Sequence, residues 1–199
     1  MRKVNNHTAL ITTLLLCGVT LGGCQGDGGS SSIPLPVGWH RLPIEISDSM
    51  NIVKGLPMEV SVNPMAVYEI QDSVHPSLTI KYPSVGADIY FTFIKPESET
   101  ARKSIIDARQ ERISLNLNGV KAKTLHDSVN DETDAVLVVA TSGTQTPVQL
   151  LVNTPEYVVT ATAFIQDPKV SQAYDSIKPL IEVLEYDMSH ALRNVNFDN

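Results

Sequence analysis

The stretch AVLVVATSGTQTPVQLLVNTPEYVVTATAFI, Ala135 to Ile165, decides the fold. It holds three runs rich in apolar and β-branched residues: Ala135 to Thr141, Pro147 to Val152 and Tyr157 to Ile165. Ser142-Gly143 and Asn153-Thr154-Pro155 separate them, turn chemistry at spacings too short for a crossover helix. Three strands so closely spaced form an antiparallel meander. Upstream, Ile89, Phe91 and Phe93 alternate with Tyr90, Thr92 and Ile94, which reads as a strand buried on both faces. Leu78 to Tyr82 and Val120 to His126 are further strands. The pattern from Gly38 to Ile70 is weaker, although Met58 to Val62 alternates and Tyr68 to Ile70 can pair.

Two helical patterns flank these runs. The first follows Pro96-Glu97, with Ser98 as N-cap and Glu99 near the positive end of the dipole, and runs to about Ile113. Its inward stripe is narrow: Ala101, Ile105, Ala108 and Arg112, flanked by Ile106 and Ile113. The second is the strongest period in the chain, with Ile177, Leu180, Ile181, Leu184, Met188 and Ala191 on one face. Asp175 or Ser176 can cap it, and Pro179 then falls in the first turn, where its missing N–H breaks no helical bond. Acidic Glu182, Glu185 and Asp187 oppose a membrane-surface role, so this helix packs on a core. The fold class is α+β, a central antiparallel sheet covered by helices in one domain over residues 37–199.

Composition agrees with one globular core: of 199 residues, 42% are hydrophobic and 19% charged, with no internal repeat. The N-terminus reads as an address. Arg2 and Lys3 precede an apolar stretch from Ala9 to Leu21, and Leu21-Gly22-Gly23-Cys24 closes it like a bacterial lipobox. Residues 1–23 are then a lipoprotein signal peptide, Cys24 is the lipidated first residue, and residues 24–36 are a flexible Gly/Ser-rich tether. Acyl chains contribute about 0.8 kcal/mol per buried methylene, so several of them anchor a domain durably. Gln25 is not the Asp that retains enteric lipoproteins in the inner membrane, which favours the outer membrane, on its periplasmic face or at the surface.

Once Arg2 and Lys3 are removed, 13 basic residues remain against 22 acidic ones, a net of −9. Nucleic acid is a poor partner for such a chain, because phosphate neutralisation needs clustered Lys and Arg. Both cysteines, Cys17 and Cys24, lie in the first 24 residues, which leaves the domain no disulfide and no thiolate metal site. His40, His75, His126 and His190 have no metal-ligand spacing, and no nucleophile elbow, phosphate loop or dinucleotide fingerprint is present. His126-Asp127-Ser128 sets catalytic residue types side by side, but neighbouring strand positions point apart. Asn130 to Asp134 reads as a solvated hairpin loop without calcium-ligand spacing. The expectation is a protein that is not an enzyme and carries no metal or cofactor. Arg102, Arg109 and Arg112 make the first helix the most basic stretch of an acidic protein, and they are the candidate partner-binding residues.

Three stretches resemble the gliding-motility lipoprotein GldD family of Bacteroidota, a likeness covering roughly Gly38 to Leu192. Pro36-Val37-Gly38-Trp39-His40-Arg41-Leu42 is similar to that family's opening segment behind the lipidated cysteine. Tyr82-Pro83, followed by the Ile89 to Ile94 strand and a basic helix, resembles its centre. Asp175-Ser176-Ile177, Pro179, Ile181-Glu182 and then Asp187-x-x-His190 resemble its final helix, although Val183-Leu184 stands where the family has aromatics. The resemblance implies a PsbP-like sandwich and an accessory lipoprotein of the gliding and type IX secretion apparatus, acting through envelope protein partners at the outer membrane. Cys24 is the one functional residue it carries over. A second expectation, of a different class, is a lipid-anchored binder of a small or apolar ligand in a cleft between helix and sheet. An enzyme ranks third.

Overall fold

Alternation along the strands gives the sheet two unlike faces. The computed structural model describes residues 42–130, 133–167, 174–195 and 197. The signal peptide, Cys24, the tether, the opening segment except Leu42 and the acidic pair Asp131-Glu132 lie outside the described residues. Strands β1 (Asn51–Val53) and β2 (Val60–Val62) form a small antiparallel pair. Strands β3 (Val67–Gln71), β4 (Ser77–Tyr82), β5 (Ala87–Ile94), β6 (Ala122–Asn130), β7 (Thr133–Ala140), β8 (Val148–Asn153) and β9 (Val158–Ile165) form one seven-stranded sheet. Its order is β3-β4-β5-β9-β8-β7-β6, antiparallel throughout. The expected meander is its second half, and β9 joins it to the β3-β4-β5 meander at the centre.

Register shows what each face is made of. One row crosses all seven strands as Ile70, Leu78, Phe91, Ala161, Leu150, Leu137 and Leu125. The next row, on the opposite face, runs Glu69, Thr79, Tyr90, Thr162, Gln149, Val138 and Thr124. Leu78, Phe91, Ala161, Leu150 and Leu137 of the apolar row, together with helix α2 (Tyr174–Ser189), β1, β2 and the exit segment to Phe197, form the main core, whereas Ile70 at the β3 margin is exposed and Leu125 is half-buried. An isolated bridge between Val60 and Leu192, with the Ser61 N–H donating to the Ala191 carbonyl at 2.7 Å, ties β2 to the end of α2. Helix α1 (Glu99–Asn116) lies on the mixed row, against β8 and β9.

Several elements differ in detail from the sequence reading. β5 is fully apolar and buried on one face only: Ala87, Ile89, Phe91 and Phe93 are inside, while on the other face Asp88 is buried, Thr92 and Ile94 are half-buried and Tyr90 is exposed, because α1 lies over β8 and β9 rather than over β5. β6 is shifted toward Asn130 and is irregular between Ser128 and Asn130. α2 begins at Tyr174, so Pro179 sits in the second turn and forgoes an N–H bond to the Asp175 carbonyl rather than falling harmlessly in the first turn. Its buried face is the expected one widened by Val183 and Asp187. In the β4–β5 turn Gly86 adopts φ 62°, a left-handed conformation that favours glycine.

Candidate functional site

Helix α1 is rotated relative to the stripe expected for it. Ser98 caps it as its position predicts, its hydroxyl accepting the Ala101 N–H at 3.1 Å. Ala108 and Arg112, however, are exposed, while Ile105, Ile106, Ile113 and Leu117 meet Val136, Val138, Leu151 and Val158 of the sheet. Turning the larger isoleucines inward removes more apolar surface from water than turning Ala108 inward would.

Beside this small cluster runs a polar stripe at seven-residue spacing: Arg102, Arg109 and Asn116. The Arg102 guanidinium donates to Asn153 Oδ1 at 2.8 Å and to the carbonyls of Thr154 and Pro155. Arg109 donates to the Ala161 carbonyl at 2.7 Å and to the Thr162 hydroxyl. The Asn116 amide donates to Gln149 Oε1 at 2.7 Å. Two of the three candidate contact arginines are therefore turned toward the sheet, and Arg112 alone of the three is exposed. Burial, followed by repulsion from Arg112, pushes the Arg109 guanidinium below its ordinary value. The seam is also incompletely satisfied, because Arg109 Nε and Gln149 Nε2 are buried without a hydrogen-bond partner.

On its other flank α1 stops short of β6 and β7, leaving a groove. Its apolar part, about 450 Å³, is lined by Ile113, Leu117, Val120, Val138 and Leu151 with Ala122 and Thr124 of β6. A second hollow, of about 380 Å³, adjoins it through the shared Gln110, Val136 and Leu151, and adds His126, Asp127, Asp134 and Asn153. His126 and Asp127 of the sequence triplet thus border one cavity, while the Ser128 side chain lies outside what the structure describes. Glu132 and Asp131 of the acidic run likewise lie outside the described residues. Among the described residues, no group of His, Cys, Asp and Glu could hold a metal ion.

On the opposite face a buried carboxylate joins three elements. Asp187 of α2 accepts the Tyr82 hydroxyl of β4 and, at 3.3 Å, the side-chain amide of Asn63, which follows β2. Asn63 also donates to the Glu45 carbonyl and accepts the Met65 N–H, each at 3.0 Å. Burial raises the Asp187 carboxyl above the ordinary aspartate value, and the Tyr82 and Asn63 hydrogen bonds and nearby His190 pull it only part of the way back. Burial and the Asp187 charge push the Tyr82 hydroxyl upward, which keeps it a donor. His190 stacks on Tyr186, with ring centroids 4.1 Å apart.

The β3 margin of the sheet has a different character. All five residues of β3 are exposed, including Val67, Tyr68 and Ile70, and among the described residues the strand has a neighbour on one side only. Met65 and Val74, the latter 91% exposed, continue the apolar surface at either end. Burial gives no signal for this margin in the sequence, where Tyr68 to Ile70 reads only as a segment able to pair. No helix among the described residues is long and apolar enough to cross a membrane. No protein-family model matches the sequence, and no curated protein matches it. What the structure itself defines is a class: an α+β domain that shows, among the described residues, a seven-stranded antiparallel sheet with one helix on either face.

Proposed function

We propose that this chain is a non-enzymatic accessory lipoprotein of the gliding motility and type IX secretion apparatus. In this reading it is held at the outer membrane by lipid on Cys24 and works by contact with envelope proteins through a PsbP-like sandwich. The observation that carries the contact reading is the open β3 margin. A sheet edge offers a row of backbone donors and acceptors that only water or another extended chain can satisfy in register, and natural edges are usually blunted. β3 instead exposes Val67, Tyr68 and Ile70, so the occupant it suits is an extended, apolar segment of a partner protein. The family part rests on the resemblance.

A photo-crosslinking amino acid in place of Tyr68, in cells of the host, should capture a discrete envelope protein. Deleting the gene should impair secretion of signal-tagged type IX cargo, and surface movement where the host has it. Normal secretion together with no crosslinked product would contradict the reading.

A second reading is favoured by the groove beside α1: a lipid-anchored binder of a small ligand. A largely apolar cleft of several hundred Å³ with a few polar groups gathered at one end is the usual form of a small-molecule site.

A further inference from the structure

The two margins of the sheet are finished differently. β6 carries Lys123 and a break in register between Ser128 and Asn130, and both features discourage a further strand. β3 carries neither: its register with β4 is unbroken from Val67 to Gln71, it contains no Lys or Pro, and among the described residues nothing pairs with its other side. Side chains alternate along it. Tyr68 and Ile70 continue the apolar rows of the α2 face, opposite buried Ile80 and Leu78, whereas Val67, Glu69 and Gln71 lie on the α1 face. Glu69, the one charged residue of the strand, is already neutralised by Lys81 of β4 at 2.7 Å. The open margin thus presents a short apolar pattern without net charge, on a chain of formal charge −7.

We propose that β3 pairs antiparallel with β3 of a second copy of this chain, about a two-fold axis through Glu69. The proposal rests on the reading of this margin as the contact surface and names its partner. The pattern is self-complementary. With the two-fold axis normal to the sheet, centring it on Glu69 engages all five residues of the strand, and it sets Tyr68 of each copy opposite Ile70 of the other. Two apolar rows then run from one core to the other: Leu78 and Ile70 lead into Tyr68 and Ile80 of the second copy, and the reverse. An aromatic opposite a β-branched side chain is a favourable cross-strand pair. The two Glu69 carboxylates meet at the axis, but each brings its own Lys81, so the seam holds four charges that cancel. The ends agree as well, because exposed Met65 of one copy comes beside exposed Val74 of the other. A strongly charged partner strand would gain little at so neutral a margin, whereas a second copy brings the matching pattern. A two-fold contact closes on itself and leaves the β6 margins outermost, where a β3-to-β6 contact would propagate a row of copies.

Cysteine crosslinking of the full chain in its host's envelope tests the register, with the parent chain as the control for Cys17 and Cys24. Glu69→Cys places two thiols at the axis, where opposed strand residues lie about 4.5 to 5.5 Å apart between Cα atoms, within disulfide range. Val67→Cys places them four strand steps apart, about 13 Å, out of range. On mild oxidation Glu69→Cys should give at least tenfold more disulfide-linked dimer than Val67→Cys, and Val67→Cys co-expressed with Gln71→Cys should recover the product. Adding Ile70→Lys to Glu69→Cys should cut the dimer at least tenfold while the thermal melt stays within a few degrees of the parent, since Ile70 is already exposed at the margin. Equal crosslinking of Glu69→Cys and Val67→Cys would mark random collision and overturn the proposal. If neither gives dimer but a photo-crosslinker in place of Tyr68 captures a different protein, self-pairing fails and the contact reading stands. If neither approach gives any product, both fail.

Discussion

The two faces of one sheet are held by different physics. On one face Leu78, Phe91, Ala161, Leu150 and Leu137 of one row are buried in the main core together with α2. On the other face the adjacent row is Glu69, Thr79, Tyr90, Thr162, Gln149, Val138 and Thr124, and α1 is fastened across it by arginine and amide hydrogen bonds around a small apolar cluster. Apolar burial is favourable wherever surfaces meet, whereas hydrogen bonds to water replace those to protein at little net cost. The α2 face is therefore the source of stability. The α1 face, with its groove and its unsatisfied Arg109 and Gln149 atoms, is the less tightly held of the two.

The largest expected effect sits at the centre of the α2 face. Leu184 is fully buried, and Leu184→Asp should cost more than about 3 kcal/mol in urea unfolding, combining lost burial with charge desolvation. A cooperative melt within a few degrees of the parent would show that this face is not the core. On the α1 face the corresponding apolar change, Ile113→Ala, should cost about 2 kcal/mol. A cost equal to that of Leu184→Asp would erase the contrast.

Tyr82→Phe should cost about 1 to 2 kcal/mol, because it removes one donor from a buried carboxylate while keeping the ring in the core. Asp187 also gives stability a pH signature. Its carboxyl is raised in the folded protein, so the fold holds that proton to higher pH than the unfolded chain does. The resulting stabilisation is complete below the unfolded value near 3.8 and is lost as pH rises through the folded value. Denaturant titrations should therefore show this contribution falling from acid toward neutral pH, and Asp187→Asn should flatten it. An unchanged profile in the variant would assign the slope to other groups.

The smallest effect is expected where the sequence places the most charge. Arg109→Met should change stability by less than about 1 kcal/mol, because losing its bonds to Ala161 and Thr162 is offset by relieving a desolvated guanidinium whose Nε has no partner. A loss above about 3 kcal/mol would make the polar seam as essential as the apolar core.

The same contrast explains what could be read from the sequence. α2 was legible because Leu180, Ile181, Leu184 and Met188 are apolar residues on one helical face, and the meander because three apolar and β-branched runs are separated by close turns. α1 was legible as a helix, cap included, but its orientation was not. Arg102, Arg109 and Asn116 dock it through side chains that a polar-outside pattern assigns to water, since long charged residues can bury their stems and still satisfy their heads. The groove left no local signature at all. Its walls come from α1, β6, β7 and β8, and it exists because the helix covers β8 and β9 and stops there. β3 was only half visible because an edge strand that buries nothing writes no alternation into the sequence.

Native-state hydrogen exchange tests the division between the faces most directly, since it reports the opening free energy of each helix in the same molecule. Amides in the middle of α2, around Leu180 to Leu184, should exchange only with global unfolding, together with those of β5 and β9. Amides in the middle of α1, around Ile105 to Arg109, should exchange through a smaller opening, with protection at least tenfold lower and a weaker dependence on denaturant. Equal protection in the two helices, with the same denaturant dependence, would contradict the account.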